Sequence, residues 1–222
     1  MIRSRMTRTV RLAAAAAALA TGVGTIAAGV AGATGKPEET HFSMTPLAKL
    51  VPCMAADGVT PPRIDVNVER GDLNDTLSIR GRGFKPGIAF DLFTIQNSRL
   101  NAAGAPDPAF KGFGMSWYQS DLQANEYGRI NARVRTILLD QIFGLVDGGP
   151  TPVPPTNTFN VGFWFNSPAD AAACGFTGTT PFNGEHAAGP LAFVSVPDAT
   201  TNLGPLCTSP EQSSNGTSVC NP

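Results

Sequence analysis

The chain holds two histidines, His41 and His186, and little chemistry is open to them. Two imidazoles cannot fill a histidine-rich metal site. Glu185-His186 could join a distant Asp in a mixed site. Neighbours on an extended segment point to opposite faces, however, so the pair would not chelate one ion together. The preceding Asn183-Gly184 is turn chemistry. Asp72, Asn74 and Asp75 could offer oxygens to calcium, but they lack the full calcium-loop pattern. A turn closed by Asx hydrogen bonds is the expectation there, and no metal ligand set is assigned. For acyl transfer there is no G-x-S-x-G, and Ser116 within GMSWY is only superficially similar. Seventeen acids single out no pair with the spacing of a glycoside hydrolase. No catalytic residue and no cofactor are expected.

The glycine cluster in TLSIRGRGFKPGIAFDL, residues 76–92, raises the possibility of a phosphate loop. A dinucleotide loop needs strand, G-x-G-x-x-G, helix, and here Pro86 stands at the third glycine position. The segment after it alternates with period two: Ile88, Phe90 and Leu92 against Ala89, Asp91 and Phe93. No Gly-Lys-Ser or Gly-Lys-Thr follows. Lys85-Pro86-Gly87 suits a type II turn, with Pro fixing φ at the first central position and Gly accepting positive φ at the second. A turn between two strands is therefore expected.

Aromatic side chains carry more information. In TFNVGFWFN, Phe163 and Phe165 share the core face, and Trp164 lies on the opposite one with Asn160 and Asn166. Trp164 can pack beneath the Pro-rich 150–155 loop or the helix after Ser167, which is the expected outcome. It can instead form a platform for a glycan or hydrophobic ligand. Trp117, Tyr118, Phe110 and Phe113 would flank such a ligand-binding face, the last two from a long loop.

The elements that must position these residues are strands. RIDVNVER, TLSIR, IAFDLF, GMSWYQSDLQ, GRINARVRTI, TFNVGFWFN and LAFVSV alternate or fit half-buried strands, with Gly/Pro turns between them. SPADAAACG has a short helix's signature: Ser167 to cap, Pro168 at the first position, Asp170 in the first turn and Gly175 after the end. ILLDQIFGLV fits either a strand or a helix. The predicted fold class is all-β: an immunoglobulin-like antiparallel β-sandwich with one or two short helices and long loops.

The N-terminus reads as an export signal. Arg3, Arg5, Arg8 and Arg11 precede an uncharged stretch from Leu12 to Ala33, and Ala31-Gly32-Ala33 fits a cleavage site. The expected organisation is a signal peptide at 1–33, an exposed N-terminal lead-in at 34–62, a sandwich domain at 63–197 and a C-terminal tail at 198–222. Cleavage would remove four arginines and no acid, taking Lys plus Arg from 16 to 12 against 17 acids, a net charge of −5. Such a chain lacks the clustered basic residues that nucleic acid requires, and no second apolar run is long enough to span a membrane. Cys53, Cys174, Cys207 and Cys220 are expected to form disulfides in an oxidising space. Three pairings are possible. Cys53–Cys174 with Cys207–Cys220 is favoured, the first tying the domain's entry to its body and the second closing a short tail loop.

LSIRGRGFKPG resembles the strand–turn–strand of bacterial Ig-like domains, which read G-x-G-F-x-P-G; the resemblance covers about residues 64–95. The whole mature chain, through RGDLNDT, TILLDQIFG, NVGFWFN and TPFNGEHAAGPLAFVSVPDA, is similar to secreted actinobacterial proteins without an assigned activity. The resemblance implies a secreted, extracellular Ig-like module that binds or adheres to an unknown ligand or cell-surface partner without catalysis. Chromophore-carrier apoproteins of the same bacteria are similar in architecture, which makes a small-molecule carrier the alternative. An extracellular hydrolase with an unrecognised site is the second alternative.

Overall fold

The computed structural model describes residues 38–138, 148, 156–180, 187–212, 216 and 218–220. The expected signal peptide, the 150–155 loop, most of ILLDQIFGLV and the Glu185-His186 pair lie outside these residues. The described strands are β1 (Glu39–Ser43), β2 (Thr45–Pro46), β3 (Arg63–Glu69), β4 (Asp75–Arg82), β5 (Ala89–Ile95), β6 (Ser116–Gln123), β7 (Ile130–Thr136), β8 (Asn160–Phe165), β9 (Leu191–Val194), β10 (Pro210–Gln212) and β11 (Ser218–Cys220). Two short helices, α1 (Val51–Met54) and α2 (Pro168–Ala172), complete the set with a 3-10 turn at Ala48–Leu50.

Every ladder is antiparallel, and the fold is an all-β sandwich. One sheet runs β1-β3-β4-β7 and the other β2-β9-β8-β5-β6; β10 and β11 form a separate hairpin. The seven strands expected from alternation are β3 to β9. On β3, Ile64, Val66 and Val68 are buried while Arg63 and Glu69 are exposed, so period two selects the inner face. Ile79 on β4, Phe90 and Leu92 on β5, Phe163 and Phe165 on β8 and Phe193 on β9 meet them in one apolar cluster. Phe84, Phe90 and Phe193 pack ring against ring there, with centroids 5.5–6.0 Å apart. Each such buried ring contributes about 1.5–3 kcal/mol of hydrophobic stabilisation.

The glycine cluster turns the chain and seats Phe84. The Ile88 N–H donates to the Lys85 carbonyl at 3.4 Å, and Gly87 sits at φ +79°, as a type II turn requires at that position. Gly81 has no room for a side chain, because a Cβ there would lie 2.9 Å from the Phe84 ring. Gly87 meets no neighbouring atom, so a substitution there tests backbone strain alone. Gly87→Val is expected to lower stability by about 1–3 kcal/mol; an unchanged urea midpoint would show that the turn tolerates a β-branched residue.

Residues 39–55 depart from an exposed lead-in. Residues 39–46 form an edge strand that serves both sheets: β1 pairs with β3, the chain crosses at buried Met44, and β2 pairs with β9. The Met44 N–H donates to the Ile64 carbonyl at 2.9 Å. The helical turn expected near Pro46–Leu50 is present and continues into α1, whose Cys53 and Met54 are buried. The C-terminal stretch also packs on the sandwich. Leu206 is fully buried, and its N–H donates to the Phe159 carbonyl at 3.1 Å. One apolar residue in a polar run carries no periodicity, so alternation could not reveal this docking.

Candidate functional site

Four of the five candidate aromatics form one chain of edge-to-face rings with Phe93. Tyr118 meets Phe93 at 5.6 Å, Phe93 meets Trp164 at 5.3 Å, Trp164 meets Phe113 at 5.0 Å and Phe113 meets Phe110 at 4.9 Å. The chain crosses the outer face of the five-stranded sheet. Trp164 is 2 % exposed and packs with Leu100, Leu191, Val194 and Ala188. Among the described residues its cover is the 97–115 loop, through Leu100 and Phe113; the 150–155 loop lies outside them. The 97–115 loop is pinned by polar groups. Gln96 Oε1 accepts the Met115 N–H at 2.8 Å, Asn97 Nδ2 donates to the Gly112 carbonyl at 3.1 Å, and Ser98 Oγ donates to the Ser195 carbonyl at 2.8 Å. The face is thus packed shut over Phe93 and Trp164, while Tyr118 at its end stays exposed. Trp117 pairs with Thr94 one position from the Tyr118–Phe93 pair, so it points to the other side of the sheet; it and Tyr118 are both about half exposed.

The titratable groups nearest this face do not form a proton-transfer pair. Tyr118 Oη donates to Asp121 Oδ1 at 2.9 Å, and Asp121 pairs in register with Asp91 on β5. Asp91 is buried and accepts from Asn166 Nδ2 at 2.7 Å. Desolvation, the bond to Asp121 and the charges of Asp121 and Asp91 push the Tyr118 phenol up to about 12. At neutral pH it is a hydrogen-bond donor and not a nucleophile. The raised value favours the folded state below about pH 10, the ordinary tyrosine value, and that contribution disappears as the pH climbs to about 12. Ultraviolet titration should show a late tyrosinate step that Asp121→Asn moves to lower pH; an unmoved step would remove Asp121 as its cause.

The remaining candidates are scattered. His41 lies exposed on β1 in the four-stranded sheet, while Ser116 opens β6 in the other. Asp75 is buried on β4, where Oδ2 accepts the Leu138 N–H at 2.8 Å, so its carboxylate organises backbone. Among the described residues no three His, Cys, Asp or Glu side chains gather at one point. No helix of the described residues is long and apolar enough to cross a membrane. The cysteines pair as Cys53–Cys174 and Cys207–Cys220, the favoured combination, and two such bonds fit an oxidising compartment.

A cleft absent from the sequence reading lies at the sandwich end where β5 leaves and β8 enters. Gln96, Asn97, Asn157, Asn160 and Asn202 line it with Phe159, Leu203, Ser218 and Val219. Five amides and no acid or base are present among its described residues. Asn160 is buried; its Nδ2 donates to the Gln96 carbonyl at 3.1 Å and its Oδ1 accepts from Ser195 Oγ at 3.2 Å. Gln96 Nε2 donates to the Thr156 carbonyl at 2.6 Å. These bonds make a rigid back wall. Asn157 and Asn202 sit at φ +51° and +58°, in the left-handed region that asparagine tolerates better than most residues. Asp198 builds the turn that carries Asn202: Oδ1 accepts the Thr201 and Thr200 N–H groups at 2.9 Å each. Those two bonds hold its carboxyl below the usual value. The opposite wall is β11, anchored by Cys207–Cys220. In sequence four of these amides fall in Gln96-Asn97, Asn157-Thr158 and Thr201-Asn202, dipeptides without periodicity, while Asn160 was legible only as a strand residue on the face of Trp164.

Comparison with family models, curated proteins and solved structures finds no match to this chain.

Proposed function

We propose that the chain is exported with loss of residues 1–33 and works outside the cell as an immunoglobulin-like module that binds a ligand without turning it over. The observation that carries this reading is the end cleft, whose described lining offers five neutral amides and the Ser218 hydroxyl, with no acid or base beside that hydroxyl to activate it. Proton transfer in catalysis needs a titratable side chain within hydrogen-bond reach of the reacting atoms. Amides on a fixed scaffold supply recognition only.

The fold supports the immunoglobulin-like part. With the strands from β3 to β9 lettered A, B, C, C′, E, F and G, the sheets read A-B-E and C′-C-F-G around one core. Loops at the end of such a sandwich are free to carry binding residues on a rigid support. The aromatic outer face argues against the carrier alternative, because the 97–115 loop already fills the space that an apolar ligand would take. The same reading expects no nucleic acid among the partners and no membrane insertion after cleavage.

The test uses the mature protein, labelled and incubated with cells and extracts of the producing culture. Saturable retention is expected, with the captured material recovered chemically unchanged by mass spectrometry. Release of a new product from that material would overturn the non-catalytic reading, and absence of any saturable retention would overturn the binding reading.

A further inference from the structure

We infer that the end cleft takes a neutral polyhydroxylated chain, an oligosaccharide without carboxylate, sulfate or phosphate, and that the disulfide-anchored β10–β11 hairpin is one wall of its site. The inference rests on the binding-module reading and adds the ligand's chemistry. Each carboxamide presents two donors and one acceptor oxygen, and a sugar hydroxyl is both donor and acceptor. Amides therefore match hydroxyls in either direction. A charged ligand would need a counter-charge as it left water, and the described lining has none to give. Leu203 on one side and Val219 on the other supply apolar surface for the C–H faces of sugar rings. The cleft holds about 440 Å³, inside the range of about 300–1,000 Å³ common to small-ligand sites.

The amides divide by engagement. Gln96 and Asn160 are bonded to backbone and to Ser195, and so fix the back of the cleft. Asn202 is exposed at the rim, and among the described residues its side chain makes no hydrogen bond within the chain. Its direction is nonetheless set, because its N–H donates to the Asp198 carbonyl at 2.9 Å and its φ is +58°. Asn157, the other non-glycine residue at positive φ among those described, lines the same cleft. Backbone held in the left-handed region on both sides of a single cleft is the kind of local strain that concentrates at binding sites. The wall opposite, Ser218-Val219-Cys220, pairs among the described residues with β10 and is tied to the body through Cys207.

Asn202→Gly separates binding from folding, since glycine adopts φ +58° freely and removes only the amide. The mature oxidised protein is screened on an array of neutral and acidic glycans, and the best neutral and best acidic oligosaccharides are then titrated by calorimetry. A neutral oligosaccharide should bind. Asn202→Gly should weaken it at least about fivefold, the loss of roughly one hydrogen bond, with an unchanged melting temperature. The paired change Cys207→Ser with Cys220→Ser should weaken it further while Cys53–Cys174 remains closed. If that pair fails to fold, Asn202→Gly still decides. Binding confined to acidic glycans, or neutral binding indifferent to Asn202→Gly, overturns the inference. So does silence on the whole array; saturable retention of other material by the same protein would then leave the binding-module reading standing.

Discussion

With Cys53 and Cys174 both changed to alanine, the protein should lose about 4–5 kcal/mol of unfolding free energy. The bond closes a loop between cysteines 121 residues apart, and constraining so long a loop in the unfolded chain contributes roughly 4.7 kcal/mol in the entropic account. It also joins α1 to the turn after α2, so two neighbouring short helices from opposite ends of the domain's sequence are fastened together. The Cys207–Cys220 bond spans only 13 residues and should contribute less, about 3 kcal/mol on the same account. Chemical denaturation of the two double variants checks both the size and the order. Equal losses, or a loss below about 1 kcal/mol for the long bridge, would mean that the unfolded chain is already constrained there.

Trp164→Ala should lower stability by about 3–5 kcal/mol, the range for deleting a large buried ring. The residue is 2 % exposed and touches Phe93 and Phe113, so its loss also uncouples the 97–115 loop from the sheet. The chain has two tryptophans, which makes fluorescence a direct readout. The wild type should combine a blue-shifted Trp164 with a solvent-exposed Trp117, and the variant should retain only the red-shifted part. A stable variant with an unchanged spectrum would contradict the packing and reopen this face as a ligand platform.

Of the seven main strands, those with sustained alternation were the most legible, as in Ile64/Val66/Val68 or Phe163/Phe165 beside Val161; β6 buries Leu122 alone and β9 is a continuous apolar run, so both rested on their strand-like residues and flanking turns. The helix after Ser167 was legible from its cap: Ser167 Oγ accepts the Ala169 N–H at 3.2 Å, and Gly175 follows at φ +81°. β1 and β2 were not legible. Phe42 is the one large apolar side chain in Glu39–Ser43, and β2 is a two-residue edge ending in a proline. The aromatic residues of the candidate face could be named from sequence, but what covers Trp164 is a tertiary fact carried by a loop without period. The amide cleft was hidden for a stronger reason. Gln96, Asn157 and Asn202 converge from segments far apart in the chain, and each alone is ordinary turn chemistry.

The strand that serves both sheets has a consequence for the order of folding. β2 is among the earliest described segments to be synthesised, yet its partner β9 is among the last, with Thr45 opposite Val194 and Pro46 opposite Phe193. Cys53 likewise waits for Cys174, and the three other cysteines all lie in the final quarter of the chain. β1 can pair with β3 soon after both emerge, but neither the β2–β9 edge nor the long bridge can close until nearly all residues have emerged, so N-to-C synthesis leaves β2 and α1 without these partners for most of its duration. Long-range closure of this kind places β-sandwiches among the slow folders, on the order of milliseconds to seconds. During that interval the segment from Thr45 to Met54 is the exposed, pairing-competent edge of an unfinished molecule.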